Sequence, residues 1–286
     1  MPVVTPAPVV PRAPADDLTV TWIGHASCLI QLGGHNILTD PMWSGRASPV
    51  QWAGPRRLVP VPMSMDALPP IDVVLISHDH YDHLDRTTVR RLSRLHGAAV
   101  WFAPLGVGQR LRRWGAADVR ELDWWQSATA GGIDVSCTPA RHFSGRTLWD
   151  RMATLWCGWT IATGGRRAFF AGDTAYHPEF AEIARRHGPF DVAVLPIGAY
   201  DPRWFMAGVH MDPEDAVRAY RDLVSVHAED RAPVMVPIHW GTFRLTDEPL
   251  DEPPVRLRNA WAGAGLPDER LWLLAHGETQ RRGRVR

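Results

Sequence analysis

The sequence predicts an α/β fold, and three observations carry that expectation. Continuous apolar runs such as "IDVVLISH", "DVAVLPIGAY" and "APVMVPIHWG" recur along the chain, as expected of strands covered on both faces. Between them lie amphipathic stretches with capping residues, and strands alternating with helices imply helices packed outside a sheet. The 286 residues are enough to bury about three quarters of the surface that the unfolded chain exposes, so a large core needs no disulfide support.

In chain order, the opening "MPVVTPAPVVPRAPADD" has five prolines and no continuous apolar segment. Residues 1–17 are therefore expected to form a disordered or extended leader and not a signal peptide. "LTVTWIG" and "SCLIQL" read as strands, Gly33-Gly34 as a hairpin turn and "HNILTDP" as the returning strand. "IDVVLISH" is the next strand. In "DRTTVRRLSRLHG" Asp85 can cap a helix, Val89, Leu92 and Leu95 keep helical spacing, and Gly97 closes it. The arrangement returns in "GAAVWFAPL" followed by "GVGQRLRRWG", and in "RRAFFAGDT" followed by "PEFAEIARRHG". It closes with the strand "DVAVLPIGAY", the helix "DPEDAVRAYRDLVSV" and the strand "APVMVPIHWG". There is no fixed-period repeat and no linker long enough to split the chain, so residues 18–286 are expected to form a single domain.

Composition excludes several functions. Net charge is zero, so no global field recruits nucleic acid or an anionic membrane. The 31 basic residues are all arginine, which rules out Schiff-base lysine chemistry. Cys28, Cys137 and Cys157 form no Cys-x-x-Cys pair, and an odd count does not suit a disulfide framework. There is no uninterrupted apolar stretch long enough to span a bilayer. The expected location is cytoplasmic.

The chemistry is concentrated in Ser77 to Asp85, "SHDHYDHLD", which packs three histidines and three aspartates into nine residues. His78 and His80 are two apart, so on an extended strand end both side chains face the same way and can reach one metal. Asp82 and His83 follow around a bend and can face a second. Imidazole with carboxylate suits zinc or another first-row metal better than calcium. Three later strand ends, each beside glycine, offer further ligands: His142 in "TPARHFSG", Asp173 in "FFAGDTAYH" and His239 in "VPIHWGT". No Gly-x-Ser-x-Gly elbow is present. Two metals about 3.5 to 4 Å apart can share a hydroxide and clamp the attacking and leaving oxygens of an in-line displacement at phosphorus.

This order of residues resembles the metallo-β-lactamase superfamily, in which a His-x-His-x-Asp-His loop is completed by a His, a bridging Asp and a final His. The resemblance implies an αββα four-layer sandwich with metals at one edge. By the same analogy His78, His80 and His142 hold one zinc, Asp82, His83 and His239 hold the other, and Asp173 bridges them. A narrower resemblance rests on "VTWIGHAS", "LTDPMWSGRASPVQWAGPRR", "GRTLWDR", "LPIGAYDPRWFM", "HMDPEDAVRAY" and "IHWGTFRLTDEP". Together these look like the N-acyl-phosphatidylethanolamine-hydrolysing phospholipase D family, a membrane-associated zinc phosphodiesterase family. It implies release of N-acylethanolamine and phosphatidic acid, with Asp82, Asp173 and His210 as the catalytic set. One departure is Asp79, where eukaryotic members have Asn, which adds negative charge beside the metals.

Other expectations attach to single residues. His210 is placed to protonate a leaving oxygen or hold a phosphate, and His25 to orient a ligand from behind. Gln51 and Trp52 align with a family segment and are expected to line the substrate pocket. The stretch Gly198 to Gly208 is expected at the cleft mouth, with Tyr200, Trp204, Phe205 and Met206 against acyl chains and Arg203 on a phosphate. The expected partner is a phospholipid or other phosphodiester, not nucleic acid. Peripheral contact with the inner face of the membrane and a homodimer are both compatible with it. Another hydrolase on the same scaffold, such as a sugar-phosphate lactonase or a nuclease, is the alternative, followed by a metal-binding module without catalysis.

Overall fold

In the computed structural model, which describes residues 1–226, 228 and 232–283, two sheets lie face to face with helices outside each. The first three strands, β1 (Leu18–Gly24), β2 (Ser27–Leu32) and β3 (His35–Thr39), are antiparallel. Gly33 and Gly34 both take positive φ (57° and 81°), the backbone that a two-residue turn between twisted strands requires. The parallel strands β4 (Val73–Leu75), β5 (Val100–Pro104) and β6 (Asp118–Leu122) extend this sheet. The second sheet contains β7 (Ser127–Ala130), β8 (Ile133–Thr138), β9 (Gly158–Thr163), β10 (Arg166–Phe170), β11 (Val192–Pro196) and β12 (Val234–Ile238). A last strand, β13 (Thr279–Arg282), returns to pair with β1. The orders are β13-β1-β2-β3-β4-β5-β6 and β12-β11-β10-β9-β8-β7.

Strand periodicity explains the layers. Val73 and Leu75 of β4 and Phe102 of β5 face the core between the sheets, together with Val135, Cys137, Trp159 and Ile161 from the other side. Their neighbours Val74, Trp101 and Ala103 face the opposite way, where they meet Val89, Leu92 and Leu111. Those last residues come from α1 (Arg86–Leu95) and α2 (Gly108–Trp114). On the far side, α3 (Glu179–His187), α5 (Pro213–Ser225) and α6 (Glu252–Gly263) cover the second sheet, whose core residues join Phe180, Tyr220 and Trp261. A short helix, α4 (Arg203–Met206), stands between β11 and α5. This is the αββα sandwich.

Helix caps behave as the sequence implies. The Asp85 carboxylate accepts from Thr87 N and Thr88 N, and that of Asp212 accepts from Asp215 N, satisfying amides that have no partner in the first turn. The C-cap of α1 is His96, one residue before the expected Gly97. Sequence periodicity missed β6 to β9, β13 and α6. β6, β7 and β13 are short and partly exposed, whereas β8 and β9 are largely buried but lack a long apolar run, and α6 begins with Glu252-Pro253-Pro254, where proline is tolerated only because first-turn amides need no partner. Residues 1–17 contain no helix and run extended along the domain. Val9 N donates to Gln31 Oε1 (2.8 Å), Asn36 Nδ2 donates to Pro11 O (2.9 Å), and Arg12 pairs with Asp72. No helix among the described residues is long and apolar enough to cross a membrane.

Trp159 is fully buried between the sheets, and its Nε1 donates to Ile76 O at 2.9 Å. Trp159→Ala should therefore cost about 3–5 kcal/mol in urea unfolding, whereas Leu148→Ala, at a side chain 90% exposed, should stay within about 0.5 kcal/mol. Similar values for the two would contradict the inter-sheet core.

Candidate metal centre

Six of the site's elements are strand C-terminal ends, the place where α/β sheets present ligands. The loop after β4 carries His78, His80, Asp82 and His83, and the segments after β8, β10 and β12 carry His142, Asp173 and His239. The ends of β1 and β3 add His25 and Asp40. His25, Asp40 and His239 have φ of 55°, 31° and 64°, a region costing about 1–3 kcal/mol for a residue with a Cβ. Non-glycine backbone strained at three points around one cleft is held there by what the side chains reach.

The side chains form two clusters. His78 Nε2 lies 2.8 Å from His80 Nδ1, which lies 3.2 Å from His142 Nε2. His83 Nε2 is 3.3 Å from Asp82 Oδ2, and His239 Nε2 is 3.4 Å from the same oxygen. Ligand atoms around a tetrahedral zinc, at about 2.0–2.1 Å from the metal, stand about 3.3 Å apart. The second cluster fits that spacing closely, and the first is drawn tighter on one edge. Asp173 Oδ2 is shared: it is 3.0 and 3.1 Å from His83 and His239, and 4.0 and 3.9 Å from His78 and His142. His83 Nε2, His239 Nε2 and Asp173 Oδ1 are buried without a hydrogen-bond partner, so the contacts are close but out of line for hydrogen bonds. Buried polar atoms are otherwise almost always paired. Unpaired atoms converging on one point are what a metal would satisfy.

Residues behind the ligands set the tautomers. Ser77 Oγ donates to Asp40 Oδ2 (2.6 Å) and stands 2.9 Å from His78 Nδ1, so the ring's Nδ1–H donates to the hydroxyl. His83 Nδ1 donates to Asp40 Oδ2 (2.7 Å), and His142 Nδ1 donates to Val209 O (2.9 Å). In each ring Nε2 is left as the nitrogen facing the cluster, with its lone pair available in the neutral His78 and His142, the usual way an outer partner prepares a metal-binding imidazole. His25 Nε2 is 2.8 Å from Asp82 Oδ2. Sequence reading anticipated His25 but missed Asp40 and Ser77; the signal was the strand-end "LTDP", an aspartate beside a rigid proline.

Electrostatics separates the clusters. Burial lowers His78 and His142 well below the ordinary imidazole range and lowers His80 as well, so these rings are neutral and only weakly bonded to one another. Burial also opposes charge on His83 and His239, but Asp173 and Asp82 outweigh it, raising His83 strongly and His239 to about 9. Both carboxyls are held well below their usual range by the same histidines, against burial.

Other expected site residues are placed differently. Asp79 turns from the ligand clusters: its Oδ1 accepts from Gly145 N (2.8 Å) and its Oδ2 lies 3.7 Å from Arg110, so a guanidinium lies beside its charge, which also favours a proton on His80. Tyr200 is not at a cleft mouth but buried, donating to Glu252 Oε1 (2.8 Å). Arg203 is already held by Asp215, by Asp212 (2.9 Å) and by His210 O (2.8 Å), which leaves its fork no free face for phosphate. Trp204 and Phe205, by contrast, are exposed (86% and 67%), with ring centroids 5.7 Å apart. Trp52 is exposed as well, while the Gln51 amide is bound to the Arg46 backbone. His210 packs beside His142 and His239, and its Nδ1 has no partner. Burial lowers it to about 3, so it is neutral.

The comparisons agree with this geometry. The family described as Beta-lactamase superfamily domain matches residues 35–240, and the chain is a metal-dependent hydrolase of that superfamily. Igni18, a metallo hydrolase from the archaeon Ignicoccus hospitalis, has the same fold: TM-score 0.66 at 23% identity, over 93% of this chain and 98% of that one. Among sequences, an uncharacterised protein of Mycobacterium tuberculosis is 47% identical over 90% of this chain and 67% of its own length. The N-acyl-phosphatidylethanolamine-hydrolyzing phospholipase D 1 of Caenorhabditis elegans is 42% identical over 84% of this chain and 69% of its own. The chain belongs to the family of that phospholipase.

Two outcomes follow. Asp40→Ala leaves His83 Nδ1 and Ser77 without their acceptor and should weaken divalent-metal binding about 10–100-fold in chelator competition; unchanged affinity would mean that Asp40 does not orient the ligands. Metal uptake by chelator-treated protein at pH 8 should release protons, because His239 and His83 must lose theirs to coordinate. Affinity should accordingly rise with pH toward about 9, and uptake with no proton release, followed with a pH indicator, would contradict the assignment.

Proposed function

We propose that this chain is a binuclear zinc phosphodiesterase of the phospholipase D type, cleaving N-acyl-phosphatidylethanolamine-like lipids to N-acylethanolamine and phosphatidic acid. The observation that carries the reading is the pair of ligand clusters joined through Asp173, with His78, His80 and His142 on one side and Asp82, His83 and His239 on the other. The C. elegans relative, whose name states this activity, supports the choice of substrate. Two zinc ions bound there would supply an acidified water and polarise the phosphoryl oxygens.

The chain's own residues then position and restrain. Asp173 spans the clusters and fixes their separation. Asp82 receives the His25 hydrogen bond, which holds its Oδ2 on the His83 and His239 side. His210, neutral at ordinary pH, holds a phosphoryl or leaving oxygen by a hydrogen bond from its ring and does not act as a strong acid. Its Nδ1 is buried without a hydrogen-bond partner. The exposed Trp204 and Phe205 offer apolar area to acyl chains, and Leu148 and Trp149, 90% and 91% exposed, give a second apolar point for peripheral contact at the inner face of a cytoplasmic membrane.

Single-turnover hydrolysis in oxygen-18 water tests the reading. Label should enter the phosphate of the phosphatidic acid, and label found first on a protein side chain would overturn direct attack by water. Elemental analysis after zinc loading should give two zinc ions per chain. Separately, Trp204→Ala with Phe205→Ala should weaken kcat/KM on a long-chain lipid about tenfold or more while sparing a short soluble phosphodiester, since burying even part of two aromatic side chains against acyl chains exceeds 1.4 kcal/mol. Equal loss on both substrates would assign the pair to folding.

A further inference from the structure

Apart from the metal centre, one open cavity gathers four arginines. Its volume is about 410 Å³, and it is lined by Gln51, Arg86, Arg90, Arg110, Trp114 and Arg146 among others. None of the seven metal-ligand candidates lines it. Arg86 and Arg90 stand one turn apart on α1, so both project to the same side. Arg110 comes from α2, and Arg146 from the loop after β8.

The charges do not cancel inside the cavity. Arg110 is paired, 2.9 Å from Asp150 and 3.7 Å from Asp79. Arg146 Nη1 donates only to carbonyls, Asp79 O at 2.6 Å and Leu84 O at 2.8 Å, while its guanidinium lies 3.8 Å over the Tyr81 ring. Arg86 and Arg90 make no ion pair or hydrogen bond with described residues. The one acid in the lining, Asp85, is already occupied by Thr87 N, Thr88 N and Ser44 Oγ. Three guanidinium groups therefore line one open cavity with no carboxylate spent on them. Unpaired guanidinium forks suit an oxyanion with several acceptor oxygens, because parallel charge-assisted hydrogen bonds match phosphate geometry.

We propose that this arginine pocket is a second binding site, for a phosphate monoester. The inference is independent of the phospholipase reading and of the α1 N-terminus, whose first amides Asp85 already takes. Because Arg146 is bound to Asp79 O, between His78 and His80, and to Leu84 O, directly after His83, an anion drawn onto it sits against the back of the metal loop. The pocket would take the phosphate of a soluble monoester or of a lipid with a terminal phosphate headgroup.

The test compares zinc-loaded wild type with Arg86→Ala/Arg90→Ala at fixed ionic strength. Both residues are exposed and unpaired, so melting temperature should be unchanged. The control is Arg94→Ala/Arg113→Ala, which removes the same charge outside the pocket. Glycerol 3-phosphate binding is measured by calorimetry, and flotation is measured with phosphatidylcholine vesicles with and without phosphatidic acid. Phosphate held at the metal centre is common to all three proteins and drops out. The expected result is at least tenfold weaker binding in the Arg86/Arg90 variant and less than twofold change in the control. Weakening on both probes assigns the site to the phosphate group whatever carries it, and weakening on the vesicles alone assigns it to a lipid headgroup. No weakening on either probe, or an equal loss in the control, would overturn the proposal.

Discussion

The buried carboxylate of Asp40 is the contact on which the site's order depends. It receives Ser77 N, Ser77 Oγ and His83 Nδ1 at 2.6–2.7 Å, so a single side chain at the end of β3 joins the end of β4 to both halves of the ligand loop. Burial raises Asp40 above the usual carboxylate range against the pull of His83 and Ser77. A buried acceptor of this kind is tolerated only when its donors are all in place. Through Ser77 it sets the His78 ring as well, so one carboxylate aligns a nitrogen in each cluster.

The clusters differ in a way that bears on how a metal would be held. His78, His80 and His142 are neutral rings kept from protonation by burial, and a cation replaces nothing but weak mutual contacts. His83 and His239 share acidic neighbours with raised basicity, and there a cation replaces protons. Asp173 is the group through which each side senses the other. The strained backbone at His25, Asp40 and His239 has its counterpart in these contacts, since relaxing any one φ would withdraw a side chain from the cluster.

The surroundings divide into surfaces of different chemistry. Exposed Trp204, Phe205, Leu148 and Trp149 are apolar and belong to short loops or the single turn of α4, free of the inter-sheet core. Arg86, Arg90 and Arg146 gather behind the metal loop, with Asp79 tied to Arg110 on the same side. The residue between the first two histidines of the motif thus links the metal loop to the arginine-rich face.

The sequence by itself determined the layered α/β architecture, because alternation of period two and helical spacing at Val89 and Leu92 are local properties. It also determined the seven ligand candidates, since a dense cluster at one strand end and isolated His or Asp at three others can be read from neighbours in the chain. Tertiary structure decided the rest. Asp40 was only the end of a strand until β3 and β4 paired in parallel and brought it to Ser77. Tyr200 and Arg203 looked like substrate contacts until α5 and α6 supplied Glu252, Asp212 and Asp215 to occupy them. Trp204 and Phe205, two positions along, were left outside. A side chain's type says which partners it can accept, but which partner arrives first is settled by residues distant in sequence, and only the packed fold brings those within reach.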